Sequence, residues 1–290
     1  NINDTGAINL DNNINDTGQC LRPVTTALKY YFISTSIDSG DYCVAKSLSE
    51  NINDSKVITT YELNNYNFNK NNIIILLDNS QLQVTDISKI NCIKVAWVRN
   101  WERKWLKHLK LFDYVFCCTN KAKNFIESNG IKSYIFPIGG NFDEYNFNES
   151  CEYDILIDCN LFNRRNIVDI VIKLVKLKKY KIIIIGKNWQ KVLTIIEFNI
   201  IKPYYKDFVK YDEIKNYYLN SKIIIDDCNI NTEEFGSINK RVIDTISCKR
   251  LIITNNKVGN SELFENKLLI FNSYDELKNV IDSYIKEIGR

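Results

Sequence analysis

The stretch from Ser221 to Phe264 carries the densest set of groups suited to holding a phosphorylated ligand. A β-branched run, Ile223–Ile225, exits into a polar loop, passes Gly236-Ser237 and enters a helix at about Ile238. A helix that begins just beyond a buried strand points unpaired backbone N–H groups and the positive end of its macrodipole past the sheet edge, where an anion binds. Lys240 and Arg241 add side-chain charge to that cradle. Asp244 lies one turn further in and can accept hydrogen bonds from ribose hydroxyls; the plainer alternative is a solvated first-turn carboxylate. A second loop, Asn255–Asn260, places Gly259 near another helix start at Ser261-Glu262. Asp226-Asp227, directly after the strand, invites a metal. Strand-end carboxylates are common in α/β proteins, however, and we expect no metal site.

A cradle of this kind needs parallel strands whose ends lie side by side. Short β-branched or aromatic runs occur at Tyr30–Ser34, Val57–Tyr61, Ile73–Leu77, Ile93–Val98, Tyr114–Thr119 and Tyr134–Phe136. Helix-period stretches lie between several of them, at Tyr42–Leu48, Trp101–Phe112 and Lys121–Ser128. The alternation pauses at Pro137-Ile138-Gly139-Gly140 and the polar stretch Asn141–Ser150, which reads as a linker. It resumes with strands at Ile155–Ile157, Ile182–Ile185, Ile223–Ile225, Leu251–Thr254 and Leu268–Phe271. Helices are predicted at Ile167–Leu177, Tyr211–Leu219, Lys240–Ser247 and Leu277–Ile288. Nearly continuous apolar strands alternating with helices predict parallel sheets covered on both faces. We therefore expect two Rossmann-like α/β domains, at 21–145 and 146–290, facing across a cleft, and a peripheral linker-like segment at 1–20. Ligands on such sheets bind beyond the strand C-terminal ends.

Composition narrows the partners. The 290 residues carry 38 basic and 35 acidic side chains for a net charge of +3, with no basic block of the kind that binds nucleic acid. Nine cysteines, an odd number without a CxxC pair, fit reduced thiols in the cytoplasm. The apolar runs are too short to span a bilayer, although peripheral membrane contact is compatible with the sequence. The sole histidine, His108, reads as a surface or packed helix residue. There is no Met, and motif spacings are read with a tolerance of one residue.

The block Gly236-Ser237-Ile238-Asn239-Lys240-Arg241-Val242, with Asp244-Thr245-Ile246-Ser247-Cys248 and Ser261-Glu262-Leu263-Phe264, resembles the C-terminal signature of two-domain (GT-B) glycosyltransferases of the group 1 type. Its Gly-Ser-x-Asn-x-Arg-Val form is closer to the CgeB-like, spore-maturation-type branch. Phe136–Asp143 is similar to that family's interdomain crossing, Ile185-Gly186-Lys187-Asn188-Trp189 to its strand–Gly turn beside the donor base, and Ser39-Gly40-Asp41-Tyr42 to its first N-domain loop. Two positions depart from the pattern. Glu233 and Glu234 lie upstream of the usual first glutamate, and Lys249 stands where a Gly usually follows the Cys.

The resemblance implies a metal-independent, hexosyltransferase-type enzyme that needs no cofactor and takes a UDP-, GDP- or dTDP-sugar as co-substrate. Its acceptor would be a glycan, protein or lipid. Gly186, Lys187, Gly236, Ser237, Ile238, Asn239, Lys240, Arg241 and Asp244 would bind the donor, with Lys187 and Arg241 countering charge on the departing β-phosphate. Lys187 also reads as an ordinary surface lysine after a Gly turn. Gly40, Tyr42, Arg99, Asn100 and Trp101 would line the acceptor side, although Trp101 and Trp105 also fit a packing face. Asp41 is the candidate general base, with a helix N-cap as its alternative. The competing functions are a catalytically silent nucleotide-sugar-binding module and a two-domain nucleotide-sugar epimerase.

Overall fold

The computed structural model describes residues 27–35, 37, 39–79, 82, 86–140 and 150–288, without the side chains at 212 and 288. The segment 1–20, the boundary at 145/146 and the end of the crossing motif, Asn141–Asp143, lie outside the described residues.

Two six-stranded sheets form, and every strand pair in them is parallel. The first holds β1 (Lys29–Ser34), β2 (Ser55–Thr59), β3 (Asn72–Leu76), β4 (Ile93–Val98), β5 (Tyr114–Cys117) and β6 (Tyr134–Ile135), in the order β2-β1-β3-β4-β5-β6. Its helices are α1 (Gly40–Asn51), α2 (Glu102–Leu106) and α3 (Asn120–Ser128). The second sheet has the order β12-β11-β10-β7-β8-β9. Its strands are β7 (Tyr153–Asp158), β8 (Ile182–Ile185), β9 (Tyr205–Lys206), β10 (Ser221–Asp226), β11 (Leu251–Thr254) and β12 (Leu269–Ile270). Between them run α4 (Asn166–Lys176), α5 (Trp189–Val192), α6 (Ile195–Ile201), α7 (Tyr211–Leu219), α8 (Ile230–Phe235), α9 (Lys240–Ser247) and α10 (Lys257–Phe264), and α11 (Tyr274–Ile288) closes the half. The expected pair of Rossmann-like halves is the fold observed.

The runs of isoleucine work as strands because both of their faces are covered. Ile155, Ile157, Ile182, Ile184, Ile223 and Ile225 pack on one face with α4 and α11, while Leu156, Ile183, Ile185, Ile224 and Ile252 pack on the other with α7 and α9.

Three local expectations are corrected. The strand expected at Val57–Tyr61 ends at Thr59, where the Glu62 carboxylate accepts the Thr59 N–H at 2.6 Å and starts a 3-10 turn. The helix expected over Trp101–Phe112 stops after α2. Trp105 and Leu109 must both enter the core, and a tighter 3-10 turn at Leu109–Leu111 delivers the second before β5. The strand expected to reach Thr119 ends at Cys117, because Thr119 becomes the cap of α3 by accepting the Ala122 N–H.

Candidate functional site

Each sheet reverses its strand order once, between β1 and β3 in the first half and between β7 and β10 in the second. A crevice opens beyond the strand ends at such a point. In the second half that crevice forms one wall of a cleft of about 380 Å³, whose other wall is the start of α1.

The C-half wall is built from strand ends. β7 delivers Asp158, β10 delivers Asp226, and the first turn of α9 places Arg241 between them. Arg241 Nη1 lies 3.3 Å from Asp226 Oδ1, and its Nε lies 3.7 Å from Asp158 Oδ2. Burial works to lower the basicity of this guanidinium, but Asp158 and Asp226 overcome it and hold the group above its ordinary value. Asn239 turns its amide to Asp226 at 2.8 Å instead of capping its own helix, which leaves the leading N–H groups of α9 without a side-chain cap. Lys240 pairs with Asp244, which also accepts the Tyr211 hydroxyl at 3.2 Å.

Asp244 is therefore 2% exposed, and the solvated first-turn carboxylate is excluded. Lys187 remains exposed beside the cleft, its ammonium 4.3 Å from the centre of the Phe208 ring. Gly186 has φ +147, and a Cβ there would lie 2.0 Å from the Cys159 carbonyl oxygen, so only glycine fits this turn.

Gly236, Ser237 and Ile238 are not among the residues lining this cleft. Gly236 ends α8 in the left-handed region at φ +71. Ser237 is fully buried and donates to Glu102 of the first half at 2.6 Å. Ile238 is 4% exposed in the core. The N–H groups beyond Asn239 are thus the part of the expected cradle that reaches the cleft.

On the N-half side, Ser39 and Gly40 line the cleft, and Ser39 caps α1 by accepting the Tyr42 N–H at 3.1 Å. Asp41 is not the cap; it pairs with Arg99. Arg99 also donates to the Leu77 carbonyl at 3.3 Å, and burial pulls it down to about 10, still charged at neutral pH. Arg99 and Asp41 are thus brought together behind the rim, and Tyr42 does not line the cleft. Asn100 is exposed, and Trp101, at φ 57, lies under the Lys104 ammonium 3.9 Å from its ring centre.

Behind the cleft the halves are fastened to each other. Thr119 donates to the Phe235 carbonyl at 2.5 Å, Asn120 N–H to Glu262 at 2.9 Å, and Arg103 Nε to Glu234 at 3.1 Å. Glu102 has no exposure; its Oε1 takes Ser237, its Oε2 has no partner, and burial pushes it up to about 7. Gly140 crosses so close to α9 that a Cβ would lie 2.4 Å from the Ile243 side chain.

Several of these residues escape a reading of the sequence alone. Asp158 ends an apolar strand, a signal that is available there; Tyr211 shows none beyond helical periodicity. Glu102 is hidden because its burial comes from the opposite half. Asp226 and Asp227 are both occupied. Asp226 accepts Thr254 at 2.8 Å as well as Arg241, and Asp227 pairs with Arg165 at 2.9 Å. Among the described residues no group of three or more His, Cys, Asp or Glu is placed to hold a metal, and no helix is long and apolar enough to cross a membrane.

Residues 164–289 match a family model described as glycosyl transferase-like. No curated protein matches the chain in sequence. Among solved structures, a glycosyltransferase from Rickettsia africae is similar over 91% of this chain and 89% of its own, at 15% identity and TM-score 0.57. Anabaena HepE, solved with UDP and glucose, is similar over 89% and 90% at 11% identity and TM-score 0.58. An Escherichia coli structure described as trehalose-6-phosphate bound with UDP-2-fluoro glucose is similar over 90% and 91% at 10% identity and TM-score 0.56. At these identities the likeness establishes the fold, which is GT-B.

Proposed function

We propose that the chain is a glycosyltransferase of the group 1 type, close to its CgeB-like branch, that transfers a sugar from a nucleoside-diphosphate donor held by the second half. The observation that carries this is the cleft where Gly186-Lys187 and Asn239–Arg241 meet Ser39-Gly40 across the two halves. A diphosphate fits beside the uncapped start of α9, with Lys187 free of any ion pair among the described residues and Asp244 within reach of a ribose. In the reaction the anomeric carbon–oxygen bond breaks and its electrons settle on the β-phosphate. Donors fixed at that oxygen stabilise the departing charge more than the bound substrate.

Arg241 supports this wall by pairing its two carboxylates, and Arg99 holds Asp41, making Asp41 a positioning residue for the start of α1. Charge neutralisation by Lys187 and the α9 N–H groups needs no metal, so activity should survive EDTA. UDP, GDP and dTDP sugars all remain candidate donors. Buried cysteines such as Cys117, Cys118 and Cys159, each at most 1% exposed, suit a reducing cytoplasm.

A nucleoside diphosphate should raise the melting temperature, as a ligand selective for the native state must. Lys187→Ala and Asp244→Asn should each weaken its binding by roughly 1–2 kcal/mol. Unchanged binding in both variants would remove the donor from this wall. A second reading, a binding module without turnover, is favoured by one observation: Lys240 and Arg241 are already neutralised by Asp244, Asp226 and Asp158. Release of nucleoside diphosphate from the donor separates the two. Donor turnover without that release would instead indicate an epimerase.

A further inference from the structure

A second cavity, of about 350 Å³, adjoins the cleft and shares Tyr211 and Lys240 with it. One wall is a single stripe of α1 and the residue after it. Val44, Ser47, Leu48 and Asn51 recur at i, i+3, i+4 and i+7, which places them on one helical face, and Ile52, the extended residue that ends the helix, continues the wall. Val44 is buried, Leu48 is half-buried and Ile52 is 36% exposed, so the apolar stripe runs outward from the core into open space. Trp97 and Ile138 extend the apolar lining. At Gly139, also in the lining, a Cβ would meet no atom within 4 Å. Charge enters where the cavity meets the cleft, at the Lys240 ammonium.

We propose that this cavity receives the acceptor, and that the acceptor is amphipathic: a hydroxyl-bearing head carried on a slender alkyl-type tail. This rests on the glycosyl-transfer function proposed above. The tail lies along Val44, Leu48 and Ile52, and the head reaches past Tyr211 and Lys240 toward the donor. The acceptor oxygen bonds to the anomeric carbon, the bond from that carbon to the β-phosphate oxygen breaks, and the hydroxyl proton passes to water. The continuity of the two spaces is what selects this occupant, because a ligand anchored only in the apolar part would leave the shared polar end unused.

The test measures binding of ethyl, hexyl and octyl β-glucosides, below their micelle concentrations, with the UDP-induced melting shift read on the same preparation. Affinity should rise up to about fourfold per added methylene. Gly139→Leu, which fills the open space, and Leu48→Asp should each flatten that dependence and leave the UDP shift unchanged. Equal affinity for all three glucosides, or a chain-length dependence that survives both variants, overturns the inference. A missing UDP shift counts against the donor site alone. Should a variant fail to fold, an octyl glucoside carrying a diazirine on its tail is used with the unaltered chain. Labelling within 44–52 or 138–140 supports the assignment, and labelling confined elsewhere overturns it.

Discussion

The two sheets have matching reversal points, and each places an arginine near the ends of its strands, yet the two arginines do different work. In the second half Arg241 is shared between Asp226 and Asp158, with Asn239 and Tyr218 joining the same carboxylates. In the first half Arg99 has one carboxylate, Asp41, and a backbone carbonyl, and the surface beside it is the apolar stripe of α1. One rim is therefore a charged network, and the other is a mixed surface in which Val44, Leu48 and Ile52 alternate with Ser47 and Asn51. The same fold thus presents two different rims, with the difference set by the loop and helix start at the end of each strand.

Removing the shared arginine tests that contrast most severely. Arg241→Ala leaves two carboxylates near one another without their cation, and about 3–5 kcal/mol of stability should be lost. A denaturant midpoint equal to that of the unaltered chain would mean that the network contributes nothing. The fastening between the halves comes next. Glu102 has its pKa raised from an ordinary 4.5 to about 7 by burial, so its folded form holds a proton that the unfolded chain has released. Stability should fall as pH rises from about 4.5 to 7, by roughly 3 kcal/mol if the full shift is expressed, at 1.36 kcal/mol per pH unit. Glu102→Gln, which keeps an acceptor for Ser237, should remove that part of the decline. A pH–stability curve identical in the two proteins sinks the prediction.

Arg99→Ala should cost less than Arg241→Ala, about 1.5–3 kcal/mol, because Asp41 keeps 23% side-chain exposure and can turn to water. Equal losses at the two arginines would erase the contrast between the rims. The smallest effect belongs to the glycine at the start of α1. Gly40 meets nothing within 4 Å of an added Cβ, so Gly40→Ala should stabilise the chain by about 0.5 kcal/mol. The methyl group would nevertheless intrude on the cleft that Gly40 lines, and donor binding should weaken while the melting point rises. A variant that is less stable and binds normally reverses both expectations.

Much of this architecture is legible in the chain itself. The isoleucine runs Ile182–Ile185 and Ile223–Ile225 admit few structures other than doubly covered strands, and α4, α7, α9 and α11 are evident from their apolar periodicity. The short elements do not announce themselves. β9 is two residues long and α5 is four, too short for any period to register, so they depend on neighbours for their existence. The approach to the site is also readable, since Lys187, Asn239, Lys240, Arg241 and Asp244 all reach the cleft wall.

What local sequence determined was therefore backbone identity and the presence of charge: strands where β-branched residues crowd, a helix start after Asn239, and a left-handed turn that demands glycine at Gly186. Tertiary structure decided the use of each charge. Asp158 and Asp226 lie 68 residues apart, on neighbouring strands β7 and β10, and only their pairing fixes Arg241 between them. Ser237, a candidate for the cradle, faces Glu102, 135 residues away in the other half. Periodicity reports which face of an element is apolar, because that is a property of a helix or strand acting alone. The partner of a buried polar group is set by which elements pack together, and that information is held by no single segment of the chain.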